Sequence, residues 1–363
     1  MPRLTDPIDL GSIHASNRML MAPLTRGRAT RDAVPTPIMA DYYRQRATAG
    51  LIISEATGIS RIGLGWAYAP GIWNDAQVEG WKHVTNAVHE RGGKIVSQLW
   101  HMGRLGHPEV NGGQPVSSSA TTPPGYAHGF SGNLPYPQAR ALELDEIPGL
   151  LDDYARAAEN AMEAGFDGIQ LHAANGYLID QFLRDNSNFR TDRYGGSVEN
   201  RIRLLGEIVD RLVRTVGKDK VGVRLSPNGA SQGVDDSDPH TLFAAAAKLL
   251  EEKDVAWLEL REPRPGGTRG LPEVAPVHPV IRKAFSRPLI LNSDYHHDDA
   301  QAALDSGEAD AITFGRPFLA NPDLPRRLIE KLPLNPPRED LFYVGGEQGY
   351  ADYPSWEEVG QPA

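Results

Sequence analysis

The chain has 363 residues, a length one α/β barrel with insertions can fill, and 40% of them are apolar, enough for a large core. Its 37 basic and 47 acidic residues leave a net charge of −10, which argues against a nucleic-acid partner or an anionic membrane surface. It holds no cysteine, which excludes disulfides, iron–sulfur clusters and thiol catalysis.

Met1 to Leu10 shows no apolar stretch behind a basic start, so no secretory signal is visible there. No run approaches the roughly 20 apolar residues that span a bilayer. A cytoplasmic enzyme acting on a small molecule, monomeric or homodimeric, is the expectation. Short apolar runs then follow one another at 18–22, 51–55, 94–98, 168–172, 221–225, 255–260, 288–292 and 311–314. Each is rich in Ile, Val and Leu, as strands buried on both faces are. Amphipathic stretches separate them. Residues 145–164 and 238–252 read as helices, and 197–216 is the clearest. Ser197 can cap it, Ile202, Leu205, Ile208, Val209, Leu212, Val213 and Val216 share one face, and Gly217 ends it.

Eight strand candidates alternating with helices predict an α/β chain folded as a TIM (β/α)8 barrel, one domain over 1–363. No Gly-x-Gly-x-x-Gly follows a strand, so a dinucleotide-binding sheet has no support. Residues 101–140, rich in Gly, Pro and Ser, form a long excursion after the third strand. A connection of that length is uncommon unless functional, so it is expected as a lid over the catalytic face. A loose surface insertion is the alternative.

Barrel active sites form at the C-terminal ends of the strands, which makes the polar residues after each run the candidates. His172 and Asn175 lie three apart, with Tyr177 two further on. Two donors so spaced could hold one oxygen on which negative charge develops, and a phenol beside them could donate a proton. None of the three carries a hydride, so a cofactor must. Ser293-Asp294 after the seventh run and Gly315-Arg316 after the eighth sit where barrels hold a phosphate. Gln98 and Arg224 could bond the edge of an electron-rich ring. Together they imply a flat phosphorylated cofactor, and FMN fits. Each residue has a plainer alternative: a satisfied structural histidine, Arg224 paired with a carboxylate in the barrel mouth, Tyr177 packed at a helix start. Their convergence favours a redox site. His296-His297-Asp298-Asp299 looks like a metal cluster but reads better as a helix start capped by Asp298, so no metal is expected.

From Leu20 to Pro354 the chain resembles the old yellow enzyme family. The resemblance rests on Met21-Ala22-Pro23-Leu24-Thr25-Arg26, Gln98-Leu99-Trp100-His101-Met102-Gly103-Arg104, His172-Ala173-Ala174-Asn175-Gly176-Tyr177, the run from Arg190 to Arg201, Phe314-Gly315-Arg316-Pro317 and Asn321-Pro322-Asp323-Leu324. It implies a tightly bound, non-covalent FMN lined by Pro23, Leu24 and Thr25. Ala56, Gln98 and Arg224 would meet its pyrimidine side. Ser293, Asp294, Gly315 and Arg316 would hold its phosphate. NADPH or NADH would reduce it. His172 and Asn175 would bind the oxygen of an unsaturated carbonyl, and hydride would pass to the β-carbon. Tyr177 would protonate the α-carbon, with ping-pong kinetics. Trp66, Tyr68, Trp100 and Tyr343 would shape the substrate pocket.

Thr25 stands where the thermophilic-like branch of that family usually has Cys, which points to the other branch. Trp66 stands where relatives usually have Tyr, the phosphate loop usually carries small residues at Ser293-Asp294, and Val344 occupies a common Gly position. The same site could reduce nitrate esters or nitroaromatics. A non-redox barrel enzyme would need a Schiff-base lysine or a carboxylate pair at a strand end, and none stands out. A flavoprotein without catalysis is the remaining class.

Overall fold

All eight apolar runs become parallel strands: β1 (Met19–Met21), β2 (Ile52–Gly58), β3 (Ile95–Trp100), β4 (Gly168–Ala173), β5 (Val221–Leu225), β6 (Trp257–Arg261), β7 (Leu289–Asn292) and β8 (Ala311–Phe314). Each pairs with the next and β8 closes on β1, so the expected TIM barrel is the fold. These positions come from a computed structural model that describes residues 1–267 and 270–359, so the end of the expected 1–363 domain lies outside the described residues. The strands are followed in turn by α1 (Pro37–Gln45), α2 (Asp75–His89), α3 (Ile147–Glu163), α4 (Arg203–Val216), α5 (Pro239–Glu252), α6 (His278–Ala284), α7 (His297–Ser306) and α8 (Leu324–Ile329). Among the described residues no helix is long and apolar enough to cross a membrane.

Three local readings change. The helix expected over 197–216 is broken at Ile202, into Val198–Arg201 and α4, and the break turns Arg201 inward to Asp236 at 2.5 Å. Ser197 does cap the first piece, accepting from the Asn200 amide. At the start of α7 the cap position belongs to His296. Asp298 instead lies in the first turn, 2.8 Å from His297 Nδ1, where the helix dipole favours a negative charge. β2 runs past its expected end because a bulge between Ile53 and Ala56 lets it stay paired with β3 as far as Gly58.

The barrel interior is layered by the strand period of two. Its lowest layer is apolar: Leu20, Ile53, Val96, Trp257, Ile290 and Ala311. A hairpin of Ile8–Leu10 and Ile13–Ala15 covers this end, burying Leu10, Ile13 and Ala15 against that layer. Three-residue strands carry too little alternation to be read from sequence, and this plug was not anticipated. Two residues higher the inward positions turn polar. Gly222 leaves room for the Trp257 indole, because a Cβ there would lie 1.9–2.3 Å from its ring atoms.

The excursion is not a loose insertion. Val116–Ser117 pairs with Arg140–Ala141, and Tyr126–Gly129 forms a hairpin with Gly132–Pro135. Gln181 ties its base to the segment after β4. Its Oε1 accepts from the Arg104 amide at 3.1 Å and the Ser117 hydroxyl at 2.8 Å.

Gly222→Ala should cost about 1–3 kcal/mol, the usual effect of overpacking a filled core. A thermal melt checks it, and an unchanged midpoint would mean that Trp257 has room to move.

Candidate active site

Strand register brings six polar side chains together in the middle of the barrel. Gln98 on β3 donates to Gln170 on β4 at 2.7 Å, and Gln170 donates to Glu259 on β6 at 2.8 Å. Thr313 on β8 gives its hydroxyl to the other Glu259 oxygen at 2.7 Å. Arg224 on β5 sets its Nε 3.4 Å from Glu259, and its Nη2 donates to Asn292 on β7 at 3.0 Å. The carboxylate partner weighed for Arg224 therefore exists. It leaves Arg224 Nη1 and Gln98 Oε1 without a protein partner among the described residues. Glu259 and Gln170 were missed from sequence. The available signal was a carboxylate on an otherwise apolar strand, in Trp257-Leu258-Glu259-Leu260.

Above this floor β4 ends in the predicted trio. Nδ1 of His172 accepts from the Ala174 amide at 3.4 Å, which places the ring proton on Nε2. Burial, with the Arg224 cation behind it, holds the His172 pKa well below the usual imidazole value, so the ring is a neutral donor. Asn175 is left-handed at φ +57° and Gly176 at φ +79°. A Cβ on Gly176 would fall 2.6 Å from the Ser231 carbonyl oxygen, so only glycine fits. Asp180 holds this turn: fully buried, it accepts from the Gly176 amide and from Arg184 Nε, each at 2.9 Å. Ser226 Oγ accepts from the Asn175 amide at 2.7 Å. His172 Nε2 and the Asn175 side chain have no protein partner among the described residues. The Tyr177 ring stands edge-on to His172 at 4.8 Å and to Trp100 at 4.9 Å. Burial first, then the Tyr136 and Tyr343 phenols, push its hydroxyl well above the ordinary phenol range.

The walls come from irregular segments. Trp66 stacks on His128 of the excursion hairpin at 3.9 Å and meets Tyr343 at 5.0 Å. The Ala67 amide donates to the His128 carbonyl at 2.9 Å. Tyr68 lies further out against Phe130 at 5.1 Å, and Arg31 covers that ring at 4.3 Å. Trp100 has no exposed surface, so it backs Tyr177 rather than forming an open wall. His128 and Tyr136 were missed because nothing in a Gly- and Pro-rich excursion marks which residue folds inward.

The residues expected to meet the ring and its phosphate follow β1, β7 and β8 or lie at the bulge of β2. Pro23 is buried, Leu24 and Thr25 are partly exposed, and Ala56 is buried at the bulge of β2. Ser293 and Asp294 are both left-handed, at φ +122° and φ +49°. The backbone N–H groups of Ser293 and Gly315 have no protein partner among the described residues. The Asp294 side chain pairs with Arg316. The unmatched set is a carbonyl and a guanidinium N–H at the barrel centre, with two backbone N–H groups at one edge. This donor chemistry fits a flavin ring with a phosphate tail.

The profile of the NADH:flavin oxidoreductase / NADH oxidase family matches residues 3–335. The chain is 59% identical to the crystallised old yellow enzyme homologue from Zymomonas mobilis, at a TM-score of 0.96 over 97% of this chain and 99% of that one. It is 44% identical to morphinone reductase, whose structure was solved with tetrahydroNAD, at a TM-score of 0.93 over the whole of both chains. It is 41% identical to a Leishmania infantum protein named as a probable flavin mononucleotide-dependent alkene reductase, over 96% of each.

If Arg316 meets a phosphate, as the resemblance implies, Asp294 would compete with it for that guanidinium. Asp294→Asn should therefore tighten FMN binding to the apoprotein three- to tenfold at low salt, worth about 1 kcal/mol, with a smaller gain as ionic strength rises. Flavin fluorescence quenching measures it, and unchanged or weaker binding would show that the pair does not oppose the phosphate.

Proposed function

The chain belongs to the NADH:flavin oxidoreductase / NADH oxidase family, the family of old yellow enzyme, and on that footing we propose that it is an FMN-dependent ene-reductase. The observation that carries this is the convergence of a neutral His172 Nε2–H, the free Asn175 side chain and the Tyr177 phenol above one polar floor. Gln98 and Arg224 would hold the pyrimidine edge of FMN, Pro23, Leu24 and Thr25 its ring, and the Ser293 and Gly315 amides with Arg316 its phosphate. When bound and reduced by NADH or NADPH, FMN would be the source of hydride for the β-carbon of an unsaturated carbonyl or nitro compound.

The chain's own residues do the rest. His172 and Asn175 bind the activating oxygen. Both are neutral donors, so they stabilise charge as it develops without an ion pair that would hold the ground state equally well. Tyr177 gives its proton to the α-carbon, and its raised pKa keeps that proton in place across the neutral range. Nicotinamide and substrate would use one place, which supports ping-pong turnover. The His128 hairpin serves as the lid that keeps water out. A nitrate ester could offer its oxygen to the same two donors.

The visible spectrum of the purified protein tests this reading. Flavin bands that bleach with anaerobic NADPH or NADH and return with cyclohexenone are expected. A protein that cannot be reconstituted with FMN, or whose flavin no nicotinamide reduces, would overturn it.

Tyr177→Phe should slow reoxidation by cyclohexenone by about a hundredfold or more, the scale of general acid catalysis, while sparing reduction by NADPH. Equal losses in the two half-reactions, followed by stopped flow, would remove the proton-donor role. Because the folded His172 pKa lies below its ordinary value and that of Tyr177 above, neither group changes charge between about pH 6 and 9. The enone half-reaction should be flat there. An inflection abolished by His172→Asn would contradict the neutral imidazole.

A further inference from the structure

Residues 330–350 contain little regular structure, yet they place Tyr343 against Trp66 and His128. Backbone carbonyls outside helices and strands need partners from elsewhere. Here they come from one loop. Arg28 Nη2 donates to the carbonyls of Leu341 at 3.0 Å, Val344 at 2.5 Å and Gln348 at 3.3 Å. Its Nη1 donates to Phe342 at 3.0 Å and its Nε to Gly346 at 3.4 Å. Arg26 adds Phe342 at 2.9 Å and Gly349 at 2.6 Å. Between them Gly27, at φ +64°, passes so close that a Cβ would lie 3.1 Å from the Tyr343 carbonyl oxygen.

We propose that Arg28 is a positioning residue for the substrate site, a template that threads the backbone of 341–348 and so sets where Tyr343 stands. This rests on the ene-reductase reading, and it adds a buried group that acts through the backbone around Tyr343. The guanidinium is suited to the role because five N–H groups in a fixed fork can serve several carbonyls at once, which a lysine cannot. It is itself held. Both Arg26 and Arg28 lie over the Tyr350 ring, at 5.0 and 4.8 Å. Tyr350 stacks on Tyr42 of α1 at 4.1 Å, and Arg46 covers the far face of Tyr42 at 3.8 Å. The segment is thus clamped on both sides of Tyr343: by carbonyls before and after it, and by a buried ring at its end. Arg28 lies three residues after Thr25 on the same loop as Pro23, Leu24 and Thr25, so one loop would line the cofactor on one side and fix the substrate wall on the other.

The test uses the FMN-loaded enzyme and the charge-transfer band of bound p-hydroxybenzaldehyde. Arg28→Met should weaken this phenol roughly fivefold or more and raise KM for cyclohexenone alike, with FMN content unchanged and kcat within about twofold. Tyr343→Ala should weaken it similarly, and the double variant should be no worse than Tyr343→Ala alone. Arg28→Lys keeps the charge with fewer donors and should fall between; it carries the same comparisons if the Met variant does not fold. Arg28 variants that bind the phenol as wild type does, or losses that multiply in the double variant, overturn the proposal. A wild type with no enone turnover would instead count against the ene-reductase reading.

Discussion

A carboxylate with no exposure sits at the centre of this barrel, and burying one is costly unless both of its oxygens are answered. Glu259 is answered by Gln170, Thr313 and Arg224, each from a different strand. That requirement fixes what lies around it. On the same strand, two residues earlier, Trp257 fills the dry end of the barrel. Arg224, held in place by the carboxylate, is then available to do two things. Its Nη1 has no protein partner among the described residues, and its charge helps keep His172 neutral. A cation alone at that depth would be as costly as an anion alone, so the donor properties of the site trace back to Glu259, which never reaches the surface.

Strain appears at two strand ends, and both lie at the site. Asn175-Gly176 after β4 and Ser293-Asp294 after β7 are consecutive left-handed pairs. Such backbone persists only where its surroundings over-determine it. After β4 the surroundings are Asp180, Arg184 and Ser226, a buried set that binds the turn through its amides. After β7 the compensation is of another kind: Asp294 folds onto Arg316, so the loop carries its own counter-charge. The first arrangement is held by buried bonds to its own amides. The second rests on an ion pair between the segments that follow β7 and β8.

What could be read in the sequence follows the physics of regular structure. Eight buried runs gave eight strands, and strand ends gave His172, Asn175, Tyr177, Gln98 and Arg224, because a strand repeats every two residues and its end is a fixed place in a barrel. The break at Ile202 and the cap at His296 were lost because a helical face continues through a one-residue turn and several polar residues can start a helix. Glu259 was hidden by its own burial, since a single charge in an apolar run has no periodic signature. His128 and Tyr136 were hidden for the opposite reason. They sit in a segment without periodicity, and only its hairpin pairing decides which side chains face inward.

The same division runs through the site itself. Every group proposed to bind the reacting oxygen or move a proton stands on or beside β4, tied to the barrel by buried bonds. The three rings that wall the site stand on connections rather than on strands of the barrel: Trp66 in the loop between β2 and α2, His128 on the hairpin of the excursion after β3, and Tyr343 on an irregular stretch near the C-terminus. These three rings meet across nearly 280 residues of chain, and their stacking is what holds the walls to one another. A change of Trp66 to the smaller tyrosine would alter the partner that His128 rests on, and with it the seat of the hairpin. Substrate range can therefore shift through the walls while the donors, anchored through Asp180 and Glu259, stay where the chemistry needs them.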